Sequence, residues 1–228
     1  DDIALLTKSG RQVVLVTSGA IATGKHRIGI TGELKSMPQK QAAAAIGQVR
    51  LMRMYSKAFG RHELYVAQLL LTLSDLTDRK RFLNIRNTLS ALLELGVIAI
   101  INENDSVAVD EIKFGDNDQL ASMIANTIEA QLLVNLTSTE GLYDCNPKTS
   151  RGARLIPLVR EFTEEIMEAA TAETSDVGTG GMRSKILAAQ KVTAFGIPYI
   201  IAPGKRPGVL ASLFAGEAVG TLFLPMQK

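Results

Sequence analysis

Within Ile101–Gln119 the chain reads INENDSVAVDEIKFGDNDQ, and two clusters stand out, Asn102-Glu103-Asn104-Asp105 and Asp116-Asn117-Asp118. Carboxylates and amides gathered in one place can hold an amino group, a metal ion or a lysine ammonium, and an amide can also donate to an anionic substrate. The first cluster follows directly on Gly96-Val97-Ile98-Ala99-Ile100-Ile101, an apolar run that predicts a buried strand. In open α/β sheets the carboxyl ends of such strands are where ligands sit. The same residues also suit a plain acidic loop capping the next helix, since Asp116 is a good N-cap before Asn117. Composition alone leaves both readings open.

Three further stretches carry groups able to do chemistry. In Gly178-Thr179-Gly180-Gly181-Met182-Arg183-Ser184-Lys185, glycines and a threonine feed straight into a helix with a lysine near its start. Backbone N–H groups and an ammonium then aim at one point, as a polyphosphate requires. The pattern differs from the P-loop, because Lys185 follows Gly181 by four residues rather than one. A flexible loop with an exposed lysine is the alternative. Thr17-Ser18-Gly19-Ala20 forms a strand-to-helix junction where Gly permits close backbone approach and Ser18 supplies a hydroxyl, although small residues are common at such turns. Thr137-Ser138-Thr139-Glu140-Gly141-Leu142-Tyr143-Asp144 follows another strand and could border a nucleotide, or be a simple turn before Asn146-Pro147.

The elements that must position these groups alternate along the chain. Apolar periodicity and breakers predict helices over Ile3–Lys8, Pro38–Phe59, Asp78–Leu95, Asn117–Ile128, Met182–Phe195, around Thr163–Ala170 and near Gly208–Phe214. Strands are expected over Gln12–Thr17, Leu64–Leu71, Val97–Ile101, Gln131–Leu136 and Ile197–Ile201, with Val219–Leu224 as an edge strand. Met52 and Met54 are expected to fill core or interface rather than touch a cofactor. Strands separated by helices call for right-handed crossovers and a mainly parallel sheet covered on both faces. No repeat, linker or low-complexity tract breaks the chain, so residues 1–228 are expected to form one domain.

Bulk properties narrow the function classes. A chain of 228 residues can bury a sizeable core. A formal net charge of +2 is too small and too evenly spread for a nucleic-acid surface. The densest basic run, Arg79-Lys80-Arg81, is flanked by Asp75 and Asp78 and suits a solvated helix face. A single cysteine, Cys145, excludes an intrachain disulfide, and two histidines make no case for a His-based metal site. No apolar stretch approaches a membrane span, and the opening residues do not read as a signal peptide, so a cytoplasmic location is expected.

The strings VTSGAIA, INEND, FGDND, EGLYD and GTGGMRSK, in this order and spacing, make the chain resemble the glutamate 5-kinases of the amino-acid kinase superfamily, from Gln12 to Phe223. The resemblance implies a three-layer αβα sandwich around a mainly parallel sheet. It also implies transfer of the γ-phosphoryl group of ATP, with Mg²⁺, to the side-chain carboxylate of L-glutamate. The product would be an acyl phosphate destined for reduction toward proline, with handover to a glutamyl phosphate reductase, and proline would be a feedback inhibitor. Carried onto this chain, Ser18, Asp105 and Asn117 would bind glutamate, Asp105 through its α-ammonium and the other two by donating to oxygens. Asp118 would organise lysine side chains and Lys185 would neutralise the transferring phosphoryl group. Thr137, Ser138 and the run Thr179, Gly180, Gly181, Met182, Arg183, Ser184 and Lys185 would line the ATP site.

These roles are chemically coherent. Phosphoryl transfer needs in-line positioning and cancellation of charge. An attacking carboxylate is already ionised at neutral pH, so no general base is required. Two departures from the family pattern stand in the sequence. Ser138 occupies a position where relatives commonly carry Asp, and the chain opens in what reads as the helix after the family's first strand, which carries a phosphate-binding Lys. Loss of that strand would expose a neighbour's hydrogen-bonding edge, so its omission from this sequence is expected rather than its natural absence. Nothing corresponding to the RNA-binding-like domain of many bacterial relatives follows Lys228. A homo-oligomer is expected, with Pro38–Phe59 as its interface. The rival readings are a kinase of the same fold acting on aspartate or N-acetylglutamate, and a non-catalytic module that senses an amino acid.

Overall fold

The computed structural model describes residues 1–108, 117–147, 149–172 and 181–226. Asp116, Thr179 and Gly180, singled out above, lie outside the described residues. The elements run α1 (Asp2–Lys8), β1 (Val14–Val16), α2 (Ala20–Arg27), α3 (Met37–Gly60), β2 (Val66–Leu71), α4 (Leu73–Thr77), α5 (Arg79–Glu94), β3 (Ile98–Glu103), α6 (Asn117–Thr127), β4 (Leu133–Thr137), β5 (Leu158–Val159), α7 (Glu164–Ala172), α8 (Met182–Ala194), β6 (Tyr199–Pro203), α9 (Val209–Phe214) and β7 (Thr221–Phe223). The backbone forms two compact units, residues 1 and 3–117 in one, residues 2 and 118–228 in the other.

In the first unit the strands pair in the order β1-β3-β2, all parallel, with Val16 opposite Ile101 and Leu71 opposite Glu103. Every residue of β3 is buried, the expected state of an apolar central strand with a neighbour on each edge. Parallel pairing gathers the C-terminal ends of the three strands at one edge, so Thr17-Ser18 after β1 lies beside Asn102-Glu103 at the end of β3. Phe59, Ile98 and Ile100 form the core here, packed against Ile3, Leu15, Met52, Tyr55, Leu64 and Val66. Burial of each such large apolar side chain contributes about 1.5–3 kcal/mol.

The long helix α3 starts where its sequence says it should. Ser36 caps it, Gln39 answers in a reciprocal capping box, and a proline occupies the first turn. Its contact with α2 has no side-chain layer. A Cβ on Gly24 would stand 1.8 Å from the Ala43 carbonyl oxygen, and one on Gly47 would stand 1.8 Å from that of Ala20. The two helices therefore touch backbone to backbone, which only glycine at both positions allows.

The second unit holds a four-stranded sheet in the order β4-β6-β7-β5. β4 pairs with β6 and β5 with β7 in parallel, while β6 and β7 run antiparallel. Its core gathers Leu142, Val159, Met182, Ile186, Tyr199, Ile201 and Phe223, with Tyr199 edge-on to Phe223 at 5.8 Å between ring centroids.

The mixed α/β class with mainly parallel pairing is as expected, and so is the alternation of helices and strands. Strand pairing is divided between two sheets, one in each unit, rather than drawn through a single ladder. Val219–Leu224 is not an edge strand. β7 lies between β6 and β5, because the two-residue strand β5 pairs with its outer side. So short a strand has no period to detect. The strand expected at Ile197–Ile201 begins at Tyr199, since Pro198 has no N–H to offer a ladder. Helix α4 was not anticipated, and α2 was implied only by the strand-to-helix junction at Thr17–Ala20, its span hidden because Gly24 interrupts an otherwise weak apolar stripe.

The bare contact between α2 and α3 is testable. Gly47→Ala has no room for its methyl without separating the helices, and is expected to lower stability by about 3 kcal/mol, as overpacking does. Chemical denaturation of the variant measures it. A loss no larger than a few tenths, about the scale of an exposed surface change, would mean the helices part freely.

Candidate active site

The polar ends of the first unit are tied together by side-chain amides. Asn117, the first residue of α6, donates from Nδ2 to the Thr17 carbonyl oxygen at 2.7 Å and to Asn102 Oδ1 at 3.0 Å. Asn102 Oδ1 also accepts from the Glu103 backbone N–H at 2.9 Å. A peptide carbonyl can only accept and a peptide N–H can only donate, so both amides are fixed in orientation by the backbone itself. Among the described residues, Asn102 Nδ2 and Asn117 Oδ1 are buried with no partner. A buried polar atom left unpaired is costly and calls for an explanation.

The junction after β1 supports the same edge. Thr17 continues the ladder, its N–H bonded to the Ile101 carbonyl at 2.9 Å, and its hydroxyl is 2.7 Å from Tyr55 OH on α3. Gly19 caps α2 with φ of 95°, a left-handed conformation that favours glycine. Ser18, between them, is exposed. Asp105 is half-buried in the turn after β3, where the Val107 and Ala108 N–H groups close onto the Asn104 carbonyl. The structure thus brings Asn117 together with Asn102 and Thr17, and Asn102, only part of a cluster in the sequence, emerges as its hub. The donor role expected of Asn117 changes. Both its amide hydrogens are engaged within the protein, and what it has left to offer is an acceptor oxygen.

In the second unit a carboxylate holds the lysine. Lys185 Nζ donates to Asp118 Oδ2 at 2.8 Å, with the two side chains only 13% and 12% exposed. Asn135 on β4 donates from Nδ2 to the other oxygen, Oδ1, at 2.6 Å. Desolvating each ion costs several kcal/mol, offset only when geometry and added hydrogen bonds are good, so such a pair is not there for stability. The contrast is Arg81 with Asp75 at 2.9 Å, whose side chains are 61% and 24% exposed. That surface pair contributes at most about 1 kcal/mol.

Around the lysine, Gly181 caps α8 without a side-chain bond, and the Ser184 and Lys185 N–H groups turn back to its carbonyl. The N–H groups at the start of this helix suit an anion. Met182 is buried in the core, Arg183 is exposed, and Ser184 is half-buried. Only the backbone of Met182 can therefore meet a nucleotide. At the end of β4, Thr137 accepts the Gly204 N–H at 2.7 Å, and Ser138 is exposed. Asn135 was missed in the sequence reading, although an amide inside the apolar strand Leu133–Thr137 was a signal for it. Among the described residues no group of three or more His, Cys, Asp or Glu could cage a metal ion. No helix among them is long and apolar enough to cross a membrane.

The chain is thus a mixed α/β protein whose strand ends present a pinned amide pair and whose carboxylate-bound lysine sits near a helix N-terminus. A model of the amino acid kinase family matches residues 1–203, and the chain belongs to that family. It is 72% identical over 228 residues to the glutamate 5-kinase of Syntrophus aciditrophicus, covering 100% of this chain and 59% of that protein. The glutamate 5-kinases of Pelobacter propionicus and Geobacter sulfurreducens are each 56% identical over 226 residues, covering 99% of this chain and 61% of theirs. The chain thus spans 59–61% of the length of these curated relatives. Among solved structures, an isopentenyl phosphate kinase superposes with a TM-score of 0.65 at 15% identity, covering 97% of this chain and 88% of that one. The UMP kinase of Bacillus anthracis superposes with a TM-score of 0.61 at 14% identity, covering 98% and 84%. These two show a shared fold.

The amide pair gives a direct test of this geometry. Asn117→Asp points a carboxylate oxygen at two acceptors, the Thr17 carbonyl and Asn102 Oδ1, and should lower stability by about 3 kcal/mol. Denaturant titration reads the change, and an undiminished midpoint would mean that Asn117 is not held as described.

Proposed function

We propose that this chain transfers the γ-phosphoryl group of ATP to the side-chain carboxylate of L-glutamate, giving L-glutamyl 5-phosphate and ADP. The observation that carries the reading is the nearly buried lysine held on a carboxylate, Lys185 on Asp118. The similarity to proteins named glutamate 5-kinase supports the choice of acid. A glutamate carboxylate oxygen attacks the γ-phosphorus. A new O–P bond forms while the bond to the bridging oxygen breaks, and its electron pair leaves with ADP. No proton moves, because the attacking group is already ionised.

Both reactants are anions, so the protein's work is positioning and charge cancellation. Lys185, steadied by Asp118, offsets charge on the transferring group. The N-terminus of α8, with the backbone of Gly181, Met182 and Arg183 and the side chain of Ser184, suits the phosphates, and Thr137 and Ser138 suit the rest of the nucleotide. Thr179 and Gly180 belong to the same loop and lie outside the described residues. Mg²⁺, held on the ATP phosphates, would supply further neutralisation there. For glutamate, Asp105 and the unpartnered Asn117 Oδ1 suit the α-ammonium, while Asn102 Nδ2 and the Ser18 hydroxyl suit carboxylate oxygens.

The same reading extends to the protein's setting. The acyl phosphate is prone to hydrolysis, which favours prompt consumption by a glutamyl phosphate reductase in the cytoplasm, in a route to proline. Proline, resembling a cyclised glutamate, would then inhibit by feedback. A homo-oligomer would use α3, which exposes Val49 at 75% and Met54 at 57%.

Hydroxamate trapping of the acyl phosphate, with glutamate, aspartate and N-acetylglutamate compared, tests the choice of acid. Preference for the acetylated acid would rule it out, because acetylation removes the charge that Asp105 is assigned to meet. Lys185→Ala is expected to lower kcat by roughly 10²–10³ with KM for glutamate nearly unchanged, as for loss of one stabilising charge. Near-normal turnover would move that role elsewhere. Asp105→Ala should instead raise KM for glutamate by roughly tenfold or more, on the scale of a lost charge-assisted contact. Steady-state kinetics in glutamate decides, and an unaltered KM counts against the ammonium contact.

A further inference from the structure

The proposed mechanism gives Asp118 and Lys185 their parts and leaves Asn135 without one. Asn135 sits in the middle of β4, between Val134 and Leu136 and opposite Ile201 of β6. An amide placed in an apolar parallel strand costs free energy unless it is hydrogen-bonded. Here Nδ2 donates to Asp118 Oδ1 at 2.6 Å, while Lys185 Nζ donates to Oδ2 at 2.8 Å. With a donor on each oxygen, rotation of the carboxylate about its Cβ–Cγ bond breaks one bond or both. The position of the ammonium follows from the position of the carboxylate. A neutral donor does this without adding a positive charge that would compete with Lys185 for Asp118.

We propose that Asn135 is a positioning residue for phosphoryl transfer, acting through Asp118 to hold the Lys185 ammonium where the transferring group develops charge. This rests on the kinase reading above and adds to it the residue that sets the geometry of its central pair. Removing the amide leaves Lys185 and Asp118 chemically intact and makes their placement looser. The loss therefore falls on turnover rather than on glutamate binding, which involves other residues.

The test is Asn135→Leu in the otherwise unaltered protein, with Asn135→Ser, too short to keep the 2.6 Å contact, as a second variant should leucine disturb folding. Both are expected to lower kcat roughly tenfold, the scale of a misplacement well under 1 Å, with KM for glutamate unchanged. The second readout needs no turnover. In ¹H–¹³C spectra the two ε-methylene protons of Lys185 should be distinct in the parent protein, as for an immobilised ammonium, and collapse to an averaged signal in both variants. An unchanged kcat in a folded variant of an active parent overturns the proposal. If the parent forms no hydroxamate from glutamate, the kinase reading falls by itself and the spectra decide Asn135. Collapse supports positioning, and retained splitting overturns it.

Discussion

A backbone carbonyl that can only accept, and a backbone N–H that can only donate, decide how the first unit's polar edge is arranged. Thr17 O and Glu103 N–H fix the Asn117 and Asn102 amides in one orientation each, and the pair then lock one another. The two backbone groups occupy adjacent ends of β1 and β3, so their spacing is set by the parallel ladder and ultimately by the buried run Ile98–Ile101. Apolar burial on the strand thus determines which amide atoms are left over at its tip. One donor and one acceptor, both hidden from water, are what that arrangement leaves over.

The second unit solves a different problem with the same economy of parts. Charge must be brought to a site from which water is largely excluded, and a lone ammonium there would be strongly disfavoured. Asp118 makes Lys185 tolerable, and Asn135 donates to the carboxylate's other oxygen without altering the net charge. Both solved neighbours share this fold.

Much of this was readable beforehand. The central strand followed from an unbroken apolar run, and the long helix α3 from its apolar positions at helical spacing. The nearness of Asp118 and Lys185 followed from the resemblance, not from any pattern in residues so far apart in sequence. What escaped notice shares a cause. Asn135 went unnoticed in an apolar strand, because its reason lies on another element, and the Gly24–Gly47 contact is a property of two helices that neither sequence displays alone. β5 is too short to have a period, and without it β7 could only be placed at a margin. Asn117 was singled out as a candidate, but the sense of its hydrogen bonds depends on a carbonyl a hundred residues earlier.

The crossing of α2 over α3 has a mechanical corollary. Where helices meet through interleaved side chains, rotamer changes let one slide slightly against the other. Peptide groups in direct apposition have no such compliance. The Thr17–Gly19 turn leads directly into α2, and Tyr55 of α3 grips the Thr17 hydroxyl. Any displacement of that turn must carry both helices as a single stiff body, so Ser18 moves with the whole helical pair or not at all.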